Sequence, residues 1–391
     1  MAFSITTTHN ANPPTPPNPP LHRPPLALLP PILHQSPTHP PNPNEALVKV
    51  SWTCSTPLDL HRTDGNLAIS RYPFILGTAF AGTVLSLWLR PMSSSTSPSR
   101  ILLNIDQELH HSLKEGDLVF GFVTDGNPRE AGFQTYITVP VHKISKLPQN
   151  VPYGLKEAVT VPTNLAKEFQ GGDRKVLVWG GASSVGLYTI QVLRYWGYSH
   201  VIAVASGKHH DELRRLGARV CFDYRNPGVV GEILGYLDWE GNYGREGGRP
   251  RIPYLVDCIG SRDGTLKPLS QIAERGSKVA VMLPVIVVHA AEGRRPVFAA
   301  DEKNVEGVVW KQGVEVRGVR TLNYEDNEFY RDKLQPEIIP ALLAQGFIQP
   351  NRTRVVEGAT LLERAQNALQ LLRDQAPSGE RLVWRVSEDE E

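Results

Sequence analysis

Three glycines and two serines fall within seven residues of one another, at Gly180, Gly181, Ser183, Ser184 and Gly186. An apolar run, "KVLVW" (175–179), leads into them. A segment with helical spacing of apolar residues, "VGLYTIQVLRYWGY" (185–198), leads out. Strand, small-residue turn and helix in that order suit the capture of an anion. Glycine lets the backbone approach a phosphate. The start of the helix then offers unpaired N–H groups and the positive end of its dipole. Gly181, Ser183, Ser184, Val185 and Gly186 are therefore candidates to hold a diphosphate, with Gly186 letting helix and strand pack closely. A glycine cluster alone is only a tight turn. Here another strand and helix follow at once, which turns the pattern into the dinucleotide-binding arrangement.

The end of the second strand selects the dinucleotide. A carboxylate there binds the 2′-hydroxyl of NAD, whereas small or basic residues accommodate the 2′-phosphate of NADP. After "VIAVA" come Ser206, Gly207, Lys208 and His209, with no acid until Asp211. Tyr224 and Arg225 close the third strand on the adenosine side. These residues favour NADPH. The plainer alternative is that Lys208 is a solvated residue at a helix start.

The elements that must position this turn divide the chain. Residues 45–160 are β-rich and punctuated by glycine: "EALVKVSWTC", "YPFILGTAFAGTVLSLWL", "GDLVFGFV" and "GFQTYITVP" read as strands of a small antiparallel, barrel-like domain. From about 161 to 309, short apolar strands alternate with helices. The fold class expected is therefore an α/β Rossmann domain, a doubly wound parallel sheet, beside a β-rich domain that resumes at 310–391. Within that last part, "TLLERAQNALQLLRD" (360–374) reads as a helix and "ERLVWRV" (380–386) as a strand. Residues 1–44 are dominated by proline and are expected to form an extended, weakly ordered tail.

Composition excludes several classes. Net charge is +1, so no basic footprint suggests nucleic acid. The longest apolar run is too short to cross a bilayer and contains Pro284. Three cysteines, Cys54, Cys221 and Cys258, lie far apart, which fits a reducing, cytoplasmic setting and cannot supply a four-cysteine zinc site. No metal is expected.

The order of "YPFILGTAFAG", "GDLVFGF", "GFQTYITVP", "KISKLP" and "KVLVWGGASSVG" resembles the medium-chain dehydrogenase/reductase superfamily. The similarity is to its zinc-free, quinone-reductase-like branch, and within that to the fungal trans-acting enoyl reductases that serve polyketide synthases. The resemblance spans roughly residues 45–386 and is most specific at 175–230. It implies a GroES-like catalytic domain, with the cofactor in the cleft between it and the Rossmann domain. Leu283 and Pro284 would lie beside the nicotinamide, and Val161, Pro162, Thr163, Asn164 and Leu165 would line the substrate side. The Asn-Pro-x-Asp motif of the family stands here as Thr56, Pro57, Leu58, Asp59, so Thr56, Pro57 and Asp59 are carried over as cofactor residues. The Gly-His-Glu of zinc alcohol dehydrogenases is replaced by Gly77, Thr78, Ala79, Phe80, none of the last three a usual zinc ligand.

The activity implied is NADPH-dependent reduction of an activated carbon–carbon double bond, on a small-molecule or carrier-bound enoyl substrate, with a polyketide synthase as the expected partner. Thr56 and Asn164 are the candidate hydrogen-bond donors to the substrate oxygen. Two other readings stay open: a quinone, enone or carbonyl reductase on the same fold, and a catalytically silent dinucleotide-binding protein.

Overall fold

A computed structural model describes residues 2–7, 31–89, 113–161, 173–241, 250–291, 294–299 and 301–387. In chain order its first part carries β1 (Ala2–Thr7), β2 (Ile32–Ser36), β3 (Glu45–Ser55), α1 (Pro57–Gly65), β4 (Phe74–Ile75), β5 (Ala79–Trp88), β6 (Leu118–Phe122), β7 (Tyr136–Pro140), β8 (Ile144–Lys146) and the short α2 (Leu155–Ala158). Strict alternation drives β3: Ala46, Val48 and Val50 are buried while Glu45, Leu47 and Lys49 are only partly covered. β3 is the spine of the β-rich domain, pairing antiparallel with both β5 and β7. Phe133 meets Trp384 edge to face at 4.6 Å in the core of this domain.

The second part runs β9 (Val176–Trp179), α3 (Ser184–Tyr195), β10 (Val201–Val204), α4 (His210–Leu216), β11 (Val220–Phe222), α5 (Val229–Gly241), β12 (Tyr254–Asp257), α6 (Lys267–Ile272), β13 (Lys278–Met282), the hairpin β14 (Val285–Val288) and β15 (Val297–Ala299), and β16 (Glu315–Val319). Six of these strands form one parallel sheet in the order β11-β10-β9-β12-β13-β16. β9 and β10 are buried along their whole length, as strands covered by helices on both faces must be. This is the doubly wound sheet expected from the alternation of elements. The order reverses between β9 and β12, so the crevice beyond their C-terminal ends is the natural ligand site.

The chain then returns to the first domain through α7 (Glu328–Lys333), α8 (Ile339–Ala344), β17 (Arg352–Val355), α9 (Leu361–Arg373) and β18 (Glu380–Arg385). β18 pairs antiparallel with β3 and parallel with β17, which places the last strand at the centre of the first domain.

Two expectations need correction. The first 44 residues are not all tail: β1 pairs with β2 and β4, and Ile5 and Thr6 are fully buried. The short β-forming run "AFSITT" precedes the prolines, and the composition of its neighbours hid it. Residues 8–30, most of the proline tract, lie outside the described residues. The return to the catalytic domain also comes later than 310, because β16 adds to the parallel sheet beside β13. Glu315 and Arg317 are exposed on this edge strand, and their charge disguised it.

Candidate active site

The glycine-serine turn forms as its residue types dictate. Gly180 and Gly181 both donate their N–H groups to the Val204 carbonyl, at 3.0 and 2.9 Å, pinning the turn to the neighbouring strand. Gly180 has φ +80°, a left-handed conformation that any other residue would strain to adopt. Ser183 caps α3, its hydroxyl oxygen accepting the Gly186 N–H at 3.0 Å. The cap satisfies one of the open amides, while those of Ser184 and Val185 have no partner within the helix. Gly186 sits so close to the turn that a Cβ would lie 2.2 Å from the Gly180 oxygen. Ile259, which follows β12, packs against Gly180 across the crevice and remains 39% exposed there.

The catalytic domain reaches the same helix start. Asn351 donates from Nδ2 to Ser184 Oγ at 2.5 Å, and the Arg381 guanidinium donates to the same oxygen at 2.9 Å. Strand register explains Arg381. It lies one residue beyond the Leu382–Ser55 pair, which sets it beside Thr56, and it is opposite Thr353 of β17. Asn351 is held by its own N–H, which donates to Thr160 Oγ1 at 3.0 Å. Two buried atoms here lack a partner, Asn351 Oδ1 and Arg381 Nε. Unpaired polar atoms this deep are costly, so their position against the helix start fits a ligand that supplies a hydroxyl and an anion.

Thr56 and Asp59 complete the group. The Thr56 N–H donates to Asp59 Oδ2 at 2.7 Å, and the Thr56 hydroxyl donates to the same oxygen at 3.0 Å. Asp59 is fully buried, with Oδ1 unpaired. Burial pushes its carboxyl up to about 7, and the nearby Asp125 adds to the rise, against the bonds from Thr56 and the charge of Arg381. A carboxyl that keeps its proton longer when folded binds protons more tightly than the unfolded chain between about pH 4 and 7. Folding stability from this group is therefore lost as pH rises through that window. Asp59→Asn should remove up to about 4 kcal/mol of this pH dependence, read as flatter denaturant-melt stabilities from pH 4.5 to 7.5. An unchanged pH slope would mean that Asp59 is ionised throughout.

Around the turn after β10, Ser206 is buried, Lys208 is exposed and Tyr224 is 52% exposed. His209 is taken up by a contact with the other domain. Its ring is buried, with Nε2 2.9 Å from Ser378 Oγ and the backbone of Gly379 packed on it. Asp223 was missed by the sequence reading. Its Oδ2 accepts the Gly207 N–H at 2.9 Å, so an acid does reach the turn after β10. Arg225 chelates that carboxylate at 2.6–3.2 Å and holds its pKa far below the usual range. Lys208 is left without an ion pair among the described residues.

The remaining expected residues divide in two. Leu283 and Pro284 close β13 at the crevice, where Gly260 approaches the Pro284 carbonyl. Asp257 is fully buried. It accepts the N–H groups of Ile259 and Gly260, each at 2.9 Å, and the Thr265 hydroxyl at 2.7 Å, so it shapes the 259–261 loop from beneath. Pro57 opens α1 and is exposed. Val161 is buried, whereas Pro162, Thr163, Asn164 and Leu165 lie outside the described residues. Among the described residues, no group of three or more His, Cys, Asp or Glu side chains is arranged to hold a metal. Nor is any helix there long and apolar enough to cross a membrane.

Asn351 and Arg381, like Asp223, are residues that sequence reasoning missed. The signal for Arg381 was available: a basic residue leading into "LVW", a run later found buried on both faces. Asn351 carried none, since it depends on which helix the domain return meets.

A β-barrel-like domain whose last strands close on the glycine-serine turn of a six-stranded parallel sheet is the two-domain arrangement found in medium-chain oxidoreductases. Residues 42–149 match the family model described as the alcohol dehydrogenase GroES-like domain. Over 363 residues the chain is 28% identical to the trans-enoyl reductase himH of Aspergillus japonicus, covering 88% of this chain and 91% of that one. Over 382 residues it is 26% identical to the trans-enoyl reductase caaB of Aspergillus niger, covering 91% and 93%. Among solved structures, the quinone oxidoreductase of Coxiella burnetii superposes with a TM-score of 0.64 at 18% identity, over 99% of this chain and 100% of that one. The CurK enoyl reductase gives 0.63 at 13% identity, over 98% and 99%. These structures share the fold, and the domain match and the full-length relatives make the chain similar to medium-chain dehydrogenases/reductases.

Proposed function

We propose that the protein is a zinc-free, NADPH-dependent enoyl reductase acting on an α,β-unsaturated thioester. The observation that carries the reading is the convergence on Ser184 of the helix start, Asn351 and Arg381, which builds a diphosphate site from both domains. Lys208, and an Asp223 already neutralised by Arg225, support the phosphorylated cofactor. The full-length likeness to trans-enoyl reductases supports the substrate class and a polyketide synthase as partner.

The residues fit the cofactor. The amides of Ser184 and Val185 and the Arg381 guanidinium would hold the diphosphate, and Asn351 Oδ1 would accept from a ribose hydroxyl. When bound, NADPH supplies the hydride that reduces the substrate β-carbon. Ile259, Leu283 and Pro284 shape the crevice that excludes water from the reacting face. Asp59, poised near neutrality with Oδ1 free, can accept from or donate to a polar group in the cleft. A donor at the thioester oxygen would stabilise developing negative charge by about 3 kcal/mol. Asn164 remains the candidate for that role. Thr56 is a weaker one, because its proton is directed at Asp59.

That commitment of Thr56 favours a second reading, reduction of a quinone, whose hydroquinone anion needs less support than a thioester enolate. NADPH consumption measured with a crotonyl thioester and with 1,4-benzoquinone separates the two. Turnover of the thioester with formation of the saturated acyl product is expected. Turnover of the quinone alone would establish the second reading, and binding without any turnover would leave a silent dinucleotide-binding protein.

A further inference from the structure

The stretch Gln349–Arg352 leads back to the catalytic domain and touches both α3 and α4 of the Rossmann domain. The Gln349 N–H donates to Gln191 Oε1 of α3 at 2.8 Å, and Asn351 meets Ser184. Arg352 then reaches α4, where its guanidinium pairs with Glu212. Glu212 is one helical turn beyond Lys208. Arg215, the other cation near Glu212, stands 3.9 Å from it. His209 lies in the same turn as Lys208, directly before α4. Burial is the main cause of that ring's lowered proton affinity, and the positive charges of Lys208 and Arg352 come next. Lys208 and Arg352, cations from different domains, both stand at the start of α4, and Glu212 is the only carboxylate paired with Arg352 among the described residues.

We propose that Arg352 is a specificity-determining residue for the cofactor's 2′-phosphate, delivered from the catalytic domain and held in reserve by Glu212. This rests on the NADPH reading above. A phosphate dianion beside Lys208 attracts the guanidinium more strongly than one partly buried carboxylate of single charge does, because guanidinium–phosphate bonds are bidentate and doubly charge-assisted. Arrival of the 2′-phosphate therefore draws Arg352 off Glu212 and pulls the catalytic domain onto the adenosine end of the groove. NAD, with no 2′-phosphate, leaves the Arg352–Glu212 pair intact.

The test uses the full chain and four titrations: NADPH, NADH, 2′,5′-ADP and 5′-AMP. Arg352→Gln should weaken NADPH and 2′,5′-ADP by about five- to tenfold and leave NADH and 5′-AMP unchanged. Glu212→Gln, which frees the guanidinium, should tighten NADPH and 2′,5′-ADP, and the double variant should behave like Arg352→Gln. The side chain of Arg352 is 63% exposed, so its loss should not impair folding. Equal weakening of all four ligands, or no change in any, would overturn the inference while a wild-type preference for NADPH left the parent reading standing. A wild-type chain that binds neither nicotinamide would overturn the parent reading itself.

Discussion

Gly186→Ala should weaken dinucleotide binding by at least about a hundredfold, a loss of roughly 3 kcal/mol. The added methyl would lie 2.2 Å from the Gly180 oxygen and 2.7 Å from the Gly181 Cα. Both are backbone atoms, so no rotamer change can relieve the clash. The helix start must move away from β9, carrying with it the amides of Ser184 and Val185 and the Ser184 hydroxyl on which both domains converge. Overpacking of this kind also costs about 1–3 kcal/mol of folding stability. Gly197→Ala is the control. Gly197 also has a positive φ, +79°, but a Cβ there meets nothing within 4 Å. That variant should lose about 1 kcal/mol of stability from backbone strain and retain full cofactor affinity. Fluorescence titration and denaturant melts on the two variants separate a general loss of stability from a loss of the phosphate site. Equal affinities in the two would remove the turn from the binding site.

Arg381→Met should produce the opposite pattern, a large loss of function with little loss of stability. The guanidinium is buried between Cys54, Tyr188, Asp59 and Ser184, and its Nε has no partner. Such a charge contributes little to folding, and an apolar isostere is often neutral or stabilising. Removing it does not strand a buried anion, because Asp59 holds its proton up to about pH 7. A charge placed in a dry site against a diphosphate is worth about 3 kcal/mol to binding, or roughly a hundredfold in Kd. The expected result is a Kd for NADPH raised by about that factor, with a denaturation midpoint unchanged or higher. A variant that melts earlier yet binds NADPH normally would assign Arg381 a structural role only.

These two residues show how far the amino-acid sequence can be read and where it stops. Gly186 was legible because local chemistry defines it: a small-residue turn between an apolar strand and an amphipathic helix has few other uses. The parallel sheet was legible for the same reason, since its strands are buried on both faces and run as unbroken apolar stretches. Arg381 and Asn351 become functional only through topology. β18 must pair with β3 in one register, and the domain return must cross α3 at Ser184, before either side chain meets a phosphate site. Asp223 was obscured by its neighbours. Reading "DYR" for its tyrosine and arginine missed that the carboxylate turns back to Gly207 and neutralises that arginine. His209 fits the pattern of a basic residue after β10, but its contact with Ser378 depends on the domain return and could not be read from the sequence. β1 was masked by composition, six β-forming residues ahead of a proline tract.

The account depends most on the claim that the two domains together grip a phosphorylated nicotinamide dinucleotide. Equilibrium titration of the full chain with NADPH and with NADH, followed by nicotinamide fluorescence, tests this most directly. Saturable binding of NADPH, at least about tenfold tighter than NADH, is the predicted result. Absence of binding by either, or a tighter complex with NADH, would contradict it.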